Sequence, residues 1–446
     1  MKKILILGAG LVAQPIIRHL LDTNYLVTVA SNTPERALAM VDSHPNGEIV
    51  DWNIEDKVTL STLISENDLT VSLLPYIYHV DVAEICVKHK KHMVTTSYVK
   101  PEMQLLHKEA QEAGILLLNE IGLDPGIDHM SAMKIIDHVH SKGGGIVDFY
   151  SICGALPAPE SASNPFKYKF SWSPRGVLMA GNNDARYLKN GNIVEIPTER
   201  LFQDTFNVDF PSIGLLDVYP NRNSTDYIDI YGIPEAKSVY RGTFRYKGWC
   251  ETLDVMKKLK LISSEEFEIQ GLSYSEFLNQ VNSIEDTGDI RKDVAQYLEI
   301  SQSAHALDAL QWLGWFSTDQ VDREKTSTFD ISADLMLSKM SIEEDDRDMV
   351  VLQHSFLAEY PDGSQEVILS RMLDFGSPST DTAIARTVAL PAAIAVDMIL
   401  KGKITISGVY RPVVPEIYIP VLENLESLGI KMEETFGLGL DKMIKF

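Results

Sequence analysis

Cysteine is scarce in this sequence. The three residues, Cys86, Cys153 and Cys250, are odd in number and widely spaced, so neither a disulfide framework nor a zinc-ligand spacing is present. A reducing cytoplasm is the expected setting, and no metal site is expected. Positive charge is also in short supply, with 40 lysines and arginines against 63 acids and a formal charge of −23 at pH 7. That deficit argues against nucleic acid or an anionic membrane as the main partner, and it requires any anionic ligand to be held by a local basic cluster. Long apolar runs are missing too. Met1-Lys2-Lys3 leads into a strand-like run that Gly8 and Gly10 interrupt before it could serve as a signal-peptide core, so no secretion signal is expected. The most apolar later stretch, Val388 to Val396, contains Pro391 and stops at Asp397, short of the roughly 20 residues a bilayer span needs. It is expected as a buried helix.

What the chain does have is size and apolar content. At 446 residues with 45% hydrophobic composition, it is expected to fold as two or three globular domains. Lys3-Ile4-Leu5-Ile6-Leu7 is a continuous apolar strand, followed at once by Gly8-Ala9-Gly10-Leu11-Val12-Ala13 and a helical pattern through Leu21. The glycines permit a tight turn and close approach of a pyrophosphate, and the small third residue lets helix pack on strand. A second strand, Tyr25 to Ala30, arrives on schedule for a dinucleotide site. At its end an NAD-specific protein usually carries an acid for the ribose hydroxyls. Here Ser31-Asn32-Thr33 stands instead, with Arg36 close by. Nothing there repels a 2′-phosphate, so NADP is favoured, with NAD as the alternative.

The alternation continues with strands near Glu48–Trp52, Leu69–Leu74, His92–Thr96 and Ile115–Asn119, separated by helical patterns near Lys57–Ile64, Val80–Lys88 and Pro101–Glu112. Six strands with five crossovers make a complete Rossmann sheet. The loops Leu74-Pro75-Tyr76, Ser97-Tyr98 and Leu123-Asp124-Pro125 follow strands four to six and are expected to open on one crevice, where the nicotinamide lies. In the last of these, Asp124-Pro125-Gly126 has the form of a helix start, with Asp124 as N-cap, Pro125 at the first helical position, and Ile127, Met130, Ile136 and Val139 as a buried stripe.

Beyond Gly143-Gly144-Gly145 the pattern changes. The expected fold is α/β, with residues 1–124 a Rossmann NADP-binding domain completed by about 382–446. Residues 125–250 and 321–381 form a mixed α/β substrate domain, and 251–320 a small helical subdomain with an apolar stripe at Leu307, Leu310 and Leu313. Glu343-Glu344-Asp345-Asp346 reads as a solvated charge run.

Several segments together carry a more specific likeness. They are Thr95-Thr96-Ser97-Tyr98, Asn119 to His129, Cys153 to Glu160, Tyr168 to Ser173 with Arg175-Gly176, Tyr219-Pro220-Asn221-Arg222 and Arg241 to Tyr246. In these, nearly end to end, the chain resembles saccharopine dehydrogenase of the L-glutamate-forming type, also called saccharopine reductase. The resemblance implies reversible reduction, by NADPH, of the imine of glutamate and 2-aminoadipate 6-semialdehyde to saccharopine, a step of lysine metabolism. It implies cofactor contacts at Gly8, Ala9, Gly10, Leu11, Val12, Ser31, Asn32, Thr33, Asp51, Leu74, Thr96, Leu123, Asp124, Pro125 and Ser173. Substrate contacts are implied at Ser97, Tyr98, Asp124, Arg222, Thr243, Phe244 and Arg245. Family members commonly carry arginine where this chain has Asn32, which weakens the NADP preference.

The residue types suit that chemistry. Saccharopine carries three carboxylates, and planar guanidinium forks bind such groups bidentately, so Arg222 and Arg245 are candidate anchors on an acidic protein. Imine formation and hydrolysis move protons, and Asp124 could relay one while Tyr98 donates a hydrogen bond to the same centre. Bland readings stand beside these. Asp124 serves equally as an N-cap, Tyr98 as a core-edge aromatic, Cys153 as packing and His129 as a core hydrogen-bonding residue. Two other functions are open: a related imine reductase such as carboxynorspermidine dehydrogenase, and a non-catalytic dinucleotide-binding regulator. The expected partner is a small amino-acid substrate, and a homodimer is left open.

Overall fold

The computed structural model describes residues 1–378 and 381–445. The expected ranges 321–381 and 382–446 include Ser379, Thr380 and Phe446, which lie outside the described residues. Chain contacts define two units, Met1–Ile146 with Ala358–Gly437 and Val147–Leu357 with Leu438–Phe446.

In the first unit the apolar runs become strands β1 (Lys3–Leu7), β2 (Leu26–Ser31), β3 (Gly47–Asp51), β4 (Leu69–Ser72), β5 (His92–Thr95) and β6 (Leu116–Leu118). Between them run α1 (Gln14–Asp22), α2 (Pro34–Val41), α3 (Lys57–Glu66), α4 (His79–His89), α5 (Pro101–Leu105) and α6 (His107–Ala113). All pairings in this sheet are parallel, and the strand Gly408–Tyr410 adds beside β6 as a seventh member. Its order, Gly408–Tyr410, β6, β5, β4, β1, β2, β3, reverses direction between β4 and β1. That reversal is the switch point at which doubly wound sheets bind ligands outside the strand C-termini.

Both sheet faces are covered, as parallel strands require. Leu5, Leu7 and Leu117 share one apolar cluster with Leu60, Val82, Cys86 and Ala110. Ile4 and Ile6, which alternate to the other side, are equally inaccessible. Among the described residues one helix, Ala383–Leu400, is long and apolar enough to cross a membrane by length and composition. It is 72% buried and packs on α1 and β5. The expected buried helix therefore forms, and it continues past Pro391.

The helix after β6 starts later than its sequence signature suggests. It is α7 (Ile127–Ser141), with Gly126 rather than Asp124 at the N-cap, and the Asp124–Pro125 peptide is cis. Residues 122–126 instead close a loop of their own: Gly122 N donates to Pro125 O at 3.0 Å, and Ile127 N to Gly122 O at 2.8 Å. Gly126 has φ +148°, and a Cβ there would lie 2.0 Å from Gly122 O, so only glycine closes this loop. The expected stripe of Ile127, Met130, Ile136 and Val139 is buried, but so are Asp128, His129 and Ser131. The helix is enclosed on most sides.

In the second unit, a long strand Gly145–Pro157 pairs in parallel with Ser238–Arg245. Antiparallel neighbours Gly214–Pro220 and Phe206–Phe210 follow, with Asp348–Glu359 on the other side of Gly145–Pro157. Residues 251–320 contribute helices Tyr274–Asn282, Ile290–Tyr297 and His305–Leu313, whose Leu307, Leu310 and Leu313 are wholly buried. The charge run at 343–346 is not merely solvated. Asp346 accepts from the buried Lys169 Nζ at 2.6 and 2.8 Å, because a buried ammonium needs a counter-charge.

Candidate active site

Gly8 leaves β1 with φ +101°, and a Cβ there would sit 3.2 Å from Leu73 O. The turn therefore hugs the end of β4 and needs glycine. A Cβ at Gly10 would meet nothing within 4 Å, which leaves backbone-level space for a ligand. Helix α1 begins at Gln14, and its N-cap Ala13 has no side-chain acceptor. An anion is suited to that helix start. Ala9 is buried and Leu11 exposed.

The ends of β2 and β3 supply the next part. Ser31 and Asp51 are register partners on adjacent strands. Ser31 Oγ lies 3.0 Å from Thr33 Oγ1 and accepts from Thr33 N at 3.1 Å. Asn32 and Arg36 are exposed. Hydroxyl and amide donors with a nearby guanidinium, and no acid at the end of β2 itself, fit a dinucleotide bearing a 2′-phosphate.

Strands β4, β5 and β6 are parallel neighbours ending at Ser72, Thr95 and Leu118, so the three following loops leave the same edge of the sheet. A Cβ on Gly122 would come within 3.0 Å of Thr96 Cβ, so the second and third loops are in contact. Leu74 and Thr96 are half-buried, while Leu123 and Pro125 are buried. Asp124 is the partly exposed member of its turn, and its Oδ1 accepts from Tyr98 Oη at 3.1 Å. The two residues expected to do the chemistry are thus joined.

Behind them lies a buried ionic network. Glu120, in a left-handed conformation with φ +59°, is 2% exposed. Its Oε1 accepts from Val99 N and Arg411 Nε, both at 2.8 Å, and its Oε2 lies 2.8 Å from His129 Nε2. Glu120 N also donates to Ser97 O at 3.1 Å. Burial by itself would raise the Glu120 carboxyl's pKa, but the His129 hydrogen bond and the charges of His129 and Arg411 hold it below the ordinary value. Tyr98 is therefore bracketed on both sides by one ionised residue. The same residue grips α7 through His129, and Asp128 Oδ1 accepts from Gly126 N at 2.6 Å.

A second polar cluster sits under Ser97. His79 Nδ1 is 2.9 Å from Ser72 Oγ, and its Nε2 is 2.8 Å from Ser97 Oγ and 3.4 Å from Thr95 Oγ1. Burial pushes the imidazole's pKa down to about 4, with a smaller contribution from Lys100.

In the second unit, Ser173 caps the helix Pro174–Ala180, accepting from Gly176 N at 3.2 Å. Arg222 is exposed in a turn, with φ +55° and its carbonyl accepting from Arg186 N at 2.9 Å. Thr243 is half-buried, and the Phe244 side chain is wholly buried against Phe210 at 5.9 Å, so a ligand contact at 244 runs through the main chain. Arg245 is 5% exposed, with its guanidinium 5.0, 5.8 and 5.3 Å from the ring centres of Tyr168, Tyr219 and Trp249. Its Nη1 donates to Phe244 O at 2.8 Å, but Nε has no hydrogen-bond partner among the described residues. A buried cation with an unused donor is costly unless an anion completes it. Cys153 is buried in register with Thr243, and Cys250 is buried with its thiol pushed up to about 12. Among the described residues no group of three or more histidine, cysteine, aspartate or glutamate side chains is placed to hold a metal.

Residues 4–118 match the saccharopine dehydrogenase NADP binding domain, and residues 122–430 the saccharopine dehydrogenase C-terminal domain. The chain belongs to the saccharopine dehydrogenase family. It is 38% identical to the NADP(+), L-glutamate-forming saccharopine dehydrogenase of Schizosaccharomyces pombe, covering 97% of this chain and 99% of that one. The protein of the same name from Saccharomyces cerevisiae is 38% identical over 97% of this chain and 99% of its own. A mitochondrial alpha-aminoadipic semialdehyde synthase of Bos taurus is 38% identical over 96% of this chain, which spans 47% of that longer protein. The solved structure of apo saccharopine dehydrogenase (L-Glu forming) from Saccharomyces cerevisiae superposes with a TM-score of 0.89 at 36% identity, covering 98% of this chain and 100% of that one.

For this saccharopine dehydrogenase family member, the sequence reading missed three residues of the crevice. Glu120 had a local signal, because a carboxylate directly after Leu116-Leu117-Leu118-Asn119 has to be buried with a partner or turn outward. His79 had a weaker one, as the first residue of a helix after a strand-end loop. Arg411 had none, since it lies 291 residues from the carboxylate it neutralises.

Proposed function

We propose that this chain is an NADP-dependent saccharopine dehydrogenase. It would oxidise L-saccharopine reversibly to L-glutamate and 2-aminoadipate 6-semialdehyde. The observation that carries the reading is the match to the L-glutamate-forming enzyme of Schizosaccharomyces pombe over 97% of the chain. The hydrogen-bonded Tyr98–Asp124 pair at the sheet's crevice supports it. The dinucleotide turn, the hydroxyls of Ser31 and Thr33, Asn32, Asp51, Leu74, Thr96, the Leu123–Pro125 turn and Ser173 are the proposed NADP contacts. When bound, NADP supplies the hydride acceptor.

The chain's own groups then have three tasks. Arg222 and Arg245 take substrate carboxylates, the latter with the planar fork whose Nε has no hydrogen-bond partner among the described residues. Ser97, Tyr98, Thr243 and the main chain at Phe244 orient the amine and its substituents. Asp124 holds the substrate nitrogen and accepts a proton, either from that nitrogen or from the water that attacks the imine, while the Tyr98 hydroxyl fixes the carboxylate's direction. The protein works as a soluble cytoplasmic enzyme on a small amino-acid substrate. Incubation with saccharopine and NADP, and in parallel with NAD, should generate reduced-cofactor absorbance and free glutamate in equal amounts. Neither product across a broad pH range would overturn the assignment.

A further inference from the structure

Ser72 and Thr95 are register partners at the ends of β4 and β5, both essentially inaccessible. His79 stands over them as the first residue of α4, 4% exposed, and spans from Ser72 Oγ on Nδ1 to Ser97 Oγ on Nε2, at 2.9 and 2.8 Å. Thr95 Oγ1 supports the far side at 3.4 Å and also accepts from Ser97 N at 3.4 Å. The ring thus links two buried strand ends to a half-buried hydroxyl in the crevice.

We propose that His79 is a positioning residue for substrate, acting through Ser97 by fixing that hydroxyl's rotamer and its sense as donor or acceptor. The inference rests on the reading of Ser97 as a saccharopine contact. A neutral imidazole carries one N–H and one lone pair, so the hydroxyls on its two nitrogens are given opposite roles. If Nδ1 carries the proton, it donates a hydrogen bond to Ser72 Oγ and Ser97 donates inward to Nε2, which turns the Ser97 lone pairs toward a substrate ammonium. With the other tautomer Ser97 accepts from the ring and donates outward to a substrate carboxylate. Either way the hydroxyl meets the substrate already oriented, and its ordering cost is met in the fold rather than on binding. A buried imidazole keeps this arrangement because solvent is not there to compete for either nitrogen.

The test is a double-mutant cycle on the full chain, with steady-state saccharopine oxidation and NADPH titration measured for wild type, His79→Leu, Ser97→Ala and the double variant. Losing one oriented hydrogen bond is expected to raise KM for saccharopine about tenfold. Affinity for NADPH should stay within about twofold, and the His79 substitution should add almost nothing on the Ser97→Ala background. His79→Gln, which keeps a donor and an acceptor, should recover part of the loss and guards against His79→Leu failing to fold. Effects that multiply in the double variant, built with His79→Gln should His79→Leu not fold, or a His79→Leu protein that folds, binds NADPH and shows an unchanged KM with Ser97→Ala impaired, would overturn the proposal while leaving the functional reading intact. A wild-type protein that binds NADPH but does not turn over saccharopine would overturn both.

Discussion

Asp124 takes a hydrogen bond from Tyr98 at 3.1 Å and does not cap α7, whose N-cap is Gly126. The bland alternative of an N-cap is therefore gone at this residue. Asp124→Asn keeps the shape and the acceptor for Tyr98 but removes the base. It should lower kcat about 100-fold with NADPH binding nearly unchanged, and a loss below about threefold would leave Asp124 as no more than a partner for Tyr98. His79 makes a second residue-scale statement, about pH. Its folded pKa of about 4 lies below the unfolded 6.5, so the unfolded chain takes up the proton first. The stability His79 allows is fully present above about 6.5 and is lost as pH falls toward 4, by about 3 kcal/mol for a shift of about 2.5 units. Urea unfolding from pH 7 to pH 4 should show this slope in the wild type and a shallower one in His79→Gln; equal slopes would remove His79 as the cause.

At the scale of elements, Glu120 ties the active-site loops to one another and to distant chain. It accepts from Val99 N beside Tyr98, reaches His129 on α7 and neutralises Arg411 beyond the strand Gly408–Tyr410. Removing one charge of a buried network leaves the other uncompensated, typically at about 3–5 kcal/mol. Glu120→Gln should accordingly lower the unfolding free energy by about 3 kcal/mol and reduce kcat, since the Val99 flank of Tyr98, held by the carboxylate, loosens. Adding Arg411→Met should recover part of the stability, because it removes the orphaned guanidinium. If the two substitutions destabilise independently, the network does not act as a unit. The late start of α7 belongs to this scale too. Asp124-Pro125-Gly126 has the composition of a helix start, yet the Gly122–Pro125 and Gly122–Ile127 hydrogen bonds close a loop first. Those bonds also fix where Asp124 emerges.

For the whole molecule, the sheet of the first unit is finished from the far end of the chain. Gly408–Tyr410 covers the edge of β6, and the helix Pro415–Ser427 buries Ile417, Tyr418, Val421 and Leu425 while packing on α7. A chain ending at Lys403 would expose the β6 edge, lose those four side chains and strip Glu120 of Arg411. It should be insoluble or fail to unfold cooperatively, as read by soluble yield and denaturant titration, and a soluble, cooperatively folded product would contradict this account.

The amino-acid order by itself determined the six-strand alternation, the Gly8–Ala13 turn and the absence of an acid after β2, because strand period, helix period and turn chemistry are local properties of a chain. Through its family resemblance it also marked Tyr98, Asp124 and the two arginines as residues whose chemistry suits a tricarboxylate amine. Only the tertiary structure decided that Tyr98 and Asp124 bond to each other across 26 residues, that Glu120 and Arg411 meet across 291, and that Arg245 is enclosed by three rings with a donor left over. A buried charge is tolerated only where distant chain supplies its partners, and no local pattern encodes which distant residue that is.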